Sequence, residues 1–387
     1  MHDGGVTSPH ARHWSLAPDV VFLNHGSFGA CPSAVLEEQQ RWRARLERNP
    51  MEFLVREIDA LLAEARRALS AFVGADPDDL AFVANATTGV NAVVRSLDFR
   101  PGDEILTTDH AYAACRNALD YVAGRCGAKV VVAQVPFPIG GPEEVVQAIL
   151  AAVTGRTALA MVDHVTSPTG LIFPIERIVR ELAARRIDTL VDGAHAPGML
   201  PLDLRSLGAA YYTGNCHKWL CAPKGAAFLW VRPDRQDRVR PLVISHGATG
   251  SAERSRFRAE FDWVGTDDIT AYLCVPRAIE FLGSLLPGGW PELMRTNRAR
   301  ALEARKIIGE AIGSAPAAPD EMIGTLATIP IADGPAPALQ AELWEKHRIE
   351  VPVVSFRSPP RRQVRISSQA YNDLDQYRLL STVLPRS

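Results

Sequence analysis

Between residues 80 and 231 short apolar runs alternate with segments whose apolar positions recur every three or four residues. The runs "LAFVA", "DEILTTD", "KVVVAQV", "TALAMVDHV", "DTLVDGA" and "AAYYT" read as strands. The segments "TGVNAVVRSL", "YAACRNALDYVAGR", "PEEVVQAILAAV" and "IERIVRELAARR" have the helical period. Strands that are apolar on both faces and regularly interrupted by helices predict a mostly parallel sheet wrapped by helices. Upstream, "SAVLEEQQRWRARLERN" and "MEFLVREIDALLAEARRALSAFVG" read as two helices, the second closed by Gly74.

After Val231 the alternation breaks. "ITAYLCVPRAIEFLGSLL" is helical with a kink expected at Pro276, and "RALEARKIIGEAI", "LATIPI", "APALQAELWEKH" and "QVRISS" fit a smaller α+β unit. The expected organisation is an N-terminal arm with little structure (1–20), a large α/β domain (21–268) and a small C-terminal α+β domain (269–387).

Composition narrows the classes. The 387 residues carry 42 Lys and Arg against 44 Asp and Glu, a formal charge of −2, which leaves no basic footprint for nucleic acid or an anionic membrane. "MHDGGVTSPHARHW" lacks the apolar stretch of a signal peptide. The six cysteines are scattered with no CxxC pair, as expected of reduced thiols in a cytoplasmic protein, and no Cys/His spacing suggests a metal site.

Ligands of open α/β sheets bind beyond the carboxyl ends of the strands, and here each end is polar. "ANATTG" puts Ala86 and Thr87 at a helix start, where free N–H groups seat a phosphate or, equally, form a plain cap. Neither a Walker loop nor G-x-G-x-x-G is present. "VDGAHAPG" ends a strand on Asp192, with His195 after it, and "TGNCHKWLCAPKG" ends the next on Lys218. A buried lysine loses solvation and becomes reactive. A lysine to bond an aldehyde, a carboxylate to keep a ring nitrogen protonated and a phosphate seat together describe pyridoxal 5′-phosphate.

These residues also carry a likeness. "FLNHGSFGACP", "VDGAHAPG", "TGNCHKWLCAPKG" and "VRISSQAYNDLDQY", in order across nearly the whole chain, resemble the class V aminotransferase group of fold-type I pyridoxal-phosphate enzymes, which includes cysteine desulfurases, and most of all its isopenicillin N epimerase-like branch. The resemblance implies Lys218 as the cofactor-bonding lysine, Asp192 at the pyridine nitrogen, His195 near the phenolic oxygen, and Ala86, Thr87 and His217 at the phosphate. Ser167 stands where the family carries an Asn near that oxygen. His110 matches the ring-stacking position, with Tyr112 a rival for it. Arg365 aligns with the clamp for the substrate carboxylate, and Asn24 and His25 with a segment near the substrate. Arg361 and Arg362 are expected to be solvated. Gly265 and Thr266 resemble the segment that reaches the partner subunit's phosphate, which implies a homodimer, although they also read as a turn before a helix.

No cysteine follows Cys274, so the mobile persulfide cysteine of desulfurases has no counterpart. The expected function is removal of an amino acid's Cα proton by Lys218, with epimerisation first, and C–S lysis of S-substituted cysteines or transamination as alternatives. Tyr112 or His110 is the expected proton donor on the opposite face. A nicotinamide-dependent oxidoreductase on the same sheet, or a scaffold without cofactor, are the readings from other classes.

Overall fold

The computed structural model describes residues 8–249, 254–357 and 361–386. A short strand, β1 (Val21–Phe22), precedes seven strands of one sheet. These are β2 (Leu80–Val83), β3 (Glu104–Thr108), β4 (Lys129–Ala133), β5 (Thr157–Asp163), β6 (Asp188–Asp192), β7 (Tyr211–Asn215) and β8 (Ala227–Val231). The spatial order is β2-β8-β7-β6-β5-β3-β4. Only β8 runs against its neighbours, so the expected sheet is parallel apart from one strand. Strands β2, β3, β7 and β8 are buried along their whole length, which is why they read as unbroken apolar runs.

The second sheet, ordered β11-β12-β9, is antiparallel and consists of β9 (Leu326–Pro330), β11 (Val353–Ser355) and β12 (Arg362–Ser367), while β10 (Ile349–Glu350) pairs in parallel with β1. Within the arm, the described residues 8–20 form only the short helix Ala11–His13, and β1 follows it. Trp14 is buried against Tyr371 and Phe281, and β1 joins the C-terminal unit through β10. At Pro276 the expected kink is a full break, with helices Thr270–Leu273 and Val275–Gly283 and the proline in the first turn of the second, where its missing N–H costs nothing. One apolar core runs from Phe82 and Val191 of the large sheet to Ile329 and Ile366 of the small one.

Candidate active site

At the carboxyl ends of β5, β6 and β7 lies a cavity of about 650 Å³. It is lined by Lys218, Asp192, Asp163, Tyr112, Thr87 and His217, among others. Each comes from a place where an apolar strand run stops, so the sheet fixes their spacing and the turns supply their chemistry.

Lys218 is half-buried, and its Nζ lies 3.1 Å from His195 Nε2. Burial, against the opposing pull of the Asp192 carboxylate and aided by the Arg365 charge, lowers its pKa to about 8. The backbone behind it is held by Gly29, whose φ of +70° only a glycine adopts easily, and whose added Cβ would meet the His217 carbonyl at 2.2 Å. That close approach brings Ser27 and Phe28 to the cavity wall.

Asp192 accepts from the Ala194 N–H at 3.0 Å and from the Cys115 thiol at 3.1 Å. Helix Ala86–Ser96 starts at the cavity. Asn85 caps it by accepting from the Thr88 N–H at 2.8 Å, and the Asn215 side chain accepts from the Ala86 N–H at 2.8 Å. The helix lies close on β7 because Gly89 faces Thr213; a Cβ there would meet Thr213 Oγ1 at 2.2 Å. His217 Nδ1 donates to the Ala226 carbonyl at 2.8 Å, and burial lowers its pKa to about 4.

Arg365, on β12, reaches across from the small sheet. Its guanidinium donates to Ser27 Oγ at 3.0 Å, to Ser167 Oγ at 3.2 Å and to the Ser167 carbonyl, while its Nε–H has no partner among the described residues. Burial lowers its pKa to about 10, which leaves it a cation at neutral pH.

Other expected site residues lie elsewhere. His110 is outside the cavity wall: its ring is bonded to Thr169 Oγ1 at 2.7 Å and the Val135 carbonyl at 3.2 Å, and packed among Phe137, Phe173 and Phe356. The chain turns after β3, so His110 faces the core and Tyr112, two residues on, faces the cavity. Asn24 bonds Glu350 at 3.1 Å and Ser27 at 2.5 Å, and His25 lies behind the Lys218 backbone, bonded to the Lys218 carbonyl at 3.1 Å and Tyr371 Oη at 2.8 Å; neither lines the cavity. Thr266 is exposed and also outside the wall. Arg362 is not solvated but buried, with its guanidinium on the Ala332 carbonyl at 2.8 Å.

Sequence reasoning passed over Asp163, Cys115 and Asn215. Asp163 had a signal, since it ends an apolar run as Asp192 does. Asn215 had the same signal, as the polar end of β7, whereas Cys115 had none, because only the packing of helix and sheet brings it to Asp192.

The donor set fits pyridoxal phosphate. A half-buried amine of lowered pKa and a buried carboxylate share a cavity with a capped helix start, and Asp163 Oδ2 and Arg365 Nε are buried polar atoms with no partner among the described residues. Fold and site thus define a fold-type I pyridoxal-phosphate enzyme. The family model described as Aminotransferase class-V matches residues 24–287, and the chain belongs to that family. It is 36% identical to isopenicillin N epimerase of Streptomyces clavuligerus over 384 residues, 95% of each chain. It is 30% identical to a probable chloroplastic L-cysteine desulfhydrase of Arabidopsis thaliana, covering 94% of this chain and 82% of that one. Among solved structures, a C-DES mutant with glycine covalently linked to its PLP cofactor superposes with a TM-score of 0.82 at 22% identity, over 97% of this chain and 98% of the other. An apo cysteine desulfurase from Thermococcus onnurineus NA1 does so at 0.80 and 17%, over 98% of both chains. Family membership removes the nicotinamide and scaffold readings.

Proposed function

We propose that the chain is an amino-acid epimerase similar to isopenicillin N epimerase, acting in secondary metabolism. The observation that carries this reading is the 36% identity over 95% of both chains. It is supported by two proton-bearing side chains, Lys218 and Tyr112, on the wall of one cavity.

In this reading Lys218 holds the cofactor, Asp192 keeps its ring nitrogen protonated, and Ala86, Thr87 and His217 take its phosphate. His195 and Ser167 sit toward the phenolic oxygen, and Tyr112 covers the ring in place of His110. Arg365 receives the substrate carboxylate, held ready by Ser27 and Ser167. Asn24 and His25 act one step back, the first by holding Ser27 and the second by holding the Lys218 backbone. Bound pyridoxal phosphate supplies the electron sink for the charge left at Cα. Lys218, neutral once released, takes the Cα proton on one face, and Tyr112 returns one on the other.

C–S lysis of S-substituted cysteines is the second reading, favoured by the likeness to the Arabidopsis desulfhydrase. Transamination needs the same first step. Incubation with simple amino acids and S-substituted cysteines in deuterated water separates them. Deuterium at Cα with inversion supports epimerisation; pyruvate and ammonia without inversion overturn it in favour of lysis.

The same reading makes the protein a cytoplasmic homodimer. Support comes from exposed apolar side chains: Phe28 on the cavity wall (74% exposed), and Val243, Ile244 and Val264. Thr266 stands beside them, available to a second copy's phosphate site. Light scattering on eluted protein tests this; a monomer at micromolar concentration contradicts it. All described cysteines are free thiols, as a reducing compartment allows, and no helix among the described residues is long and apolar enough to cross a membrane.

A further inference from the structure

Trp219 follows Lys218 in the chain, and its indole Nε1–H donates to His195 Nδ1 at 3.3 Å. The other ring nitrogen, His195 Nε2, is the one 3.1 Å from Lys218 Nζ. Trp219 and His195 are buried. The indole is itself clamped, its ring centroid 4.8 Å from that of His25, which Tyr371 and the Lys218 carbonyl hold in turn.

Donor counting then leaves one arrangement. An indole N–H only donates, so His195 Nδ1 carries the lone pair. A neutral imidazole has one proton, which must lie on Nε2 and face Lys218. An ammonium has no lone pair to receive it, whereas a neutral amine has one. Burial holds the pKa of His195 well below its ordinary value, so a second ring proton is disfavoured.

We propose that Trp219 is a positioning residue that fixes His195 as its Nε2–H tautomer, so that a donor is presented to Lys218 and the amine is kept neutral. When Lys218 Nζ is engaged elsewhere, the same N–H points into the cavity as a ready donor to an anionic oxygen. That last clause rests on the reading of Lys218 as the cofactor lysine; the tautomer does not. The groups facing the pair are Asp192, Asp163, Cys115, Arg365 and His25, and removing the indole N–H changes none of them.

The test uses the full-length protein labelled with ¹⁵N. Long-range ¹⁵N–¹H spectra near pH 8 report the tautomer, with His195 assigned by its loss in His195→Gln. The expected wild-type signature is an unprotonated Nδ1 and a protonated Nε2. Trp219→Phe keeps an aromatic ring and drops the donor; the expected result is a mixture of tautomers and a rise of about one pH unit in the midpoint for cofactor capture by the amine. A wild-type Nδ1–H tautomer or imidazolium overturns the proposal even if the variant does not fold. So does a folded Trp219→Phe with unchanged tautomer and midpoint. Failure of the cofactor-lysine reading shows separately, as borohydride fixing no cofactor on Lys218.

Discussion

Asp163 and Asp192 end adjacent parallel strands in direct register, so two buried carboxyl groups stand side by side on the cavity wall. They cannot both ionise cheaply. Burial and the Asp192 charge push Asp163 well above the usual carboxylate range. Asp163 therefore keeps its proton in the folded protein where the unfolded chain has lost it, and stability falls as pH rises above the ordinary aspartate value. Asp163→Asn removes that cost. The expected outcome is a higher Tm for the variant near pH 8 and little difference near pH 4, read by thermal scans of cofactor-free protein.

Lys218 gives a second pH prediction. Capture of the cofactor aldehyde needs the neutral amine, and burial lowers the pKa of Lys218 from 10.5 to about 8. The capture rate of cofactor-free protein is expected to rise with pH and level off above about 8, rather than continuing toward 10.5 as for free lysine. Stopped-flow absorbance across pH measures it.

Arg365 offers a test of the carboxylate clamp. Arg365→Lys keeps a charge but loses the planar fork that spans Ser27 and Ser167. Steady-state kinetics on an amino-acid substrate should show kcat/KM down roughly a hundredfold for Arg365→Ala, with much of the loss in KM, and a smaller loss for Arg365→Lys.

Gly89 tests how the helix is seated. Gly89→Ala places a Cβ 2.2 Å from Thr213 Oγ1, whose hydroxyl also donates to the Phe228 carbonyl at 2.8 Å. The expected cost is about 1–3 kcal/mol in denaturant unfolding, with weaker phosphate binding as the helix start is displaced. Gly124→Ala, where the added Cβ meets nothing within 4 Å, is the control.

The central sheet was legible because most of its strands are buried, and the runs of β5, β6 and β7 end at polar residues that mark the ligand side. Lys218 and Asp192 could be picked out for that reason. The side of a turn was not legible: His110 and Tyr112 follow the same strand two residues apart, yet one faces Phe173 and the other the cavity. Strand periodicity says nothing once the strand has ended. The reach of Arg365 to Ser27 and Ser167 depends on how the small sheet docks, which no local pattern encodes. The docking of Trp14 likewise came from rings distant in sequence. Asp163 was readable and overlooked, since a second carboxylate at a strand end resembles an ordinary turn residue.

Every role proposed for this site depends on the proposal that Lys218 bonds the cofactor. Its most direct test is borohydride reduction of the yellow holoenzyme followed by peptide mapping by mass spectrometry. The expected result is loss of the visible band and a phosphopyridoxyl group on Lys218, with neither the band nor the label in Lys218→Ala. A label on another lysine, or an unchanged band in Lys218→Ala, contradicts it.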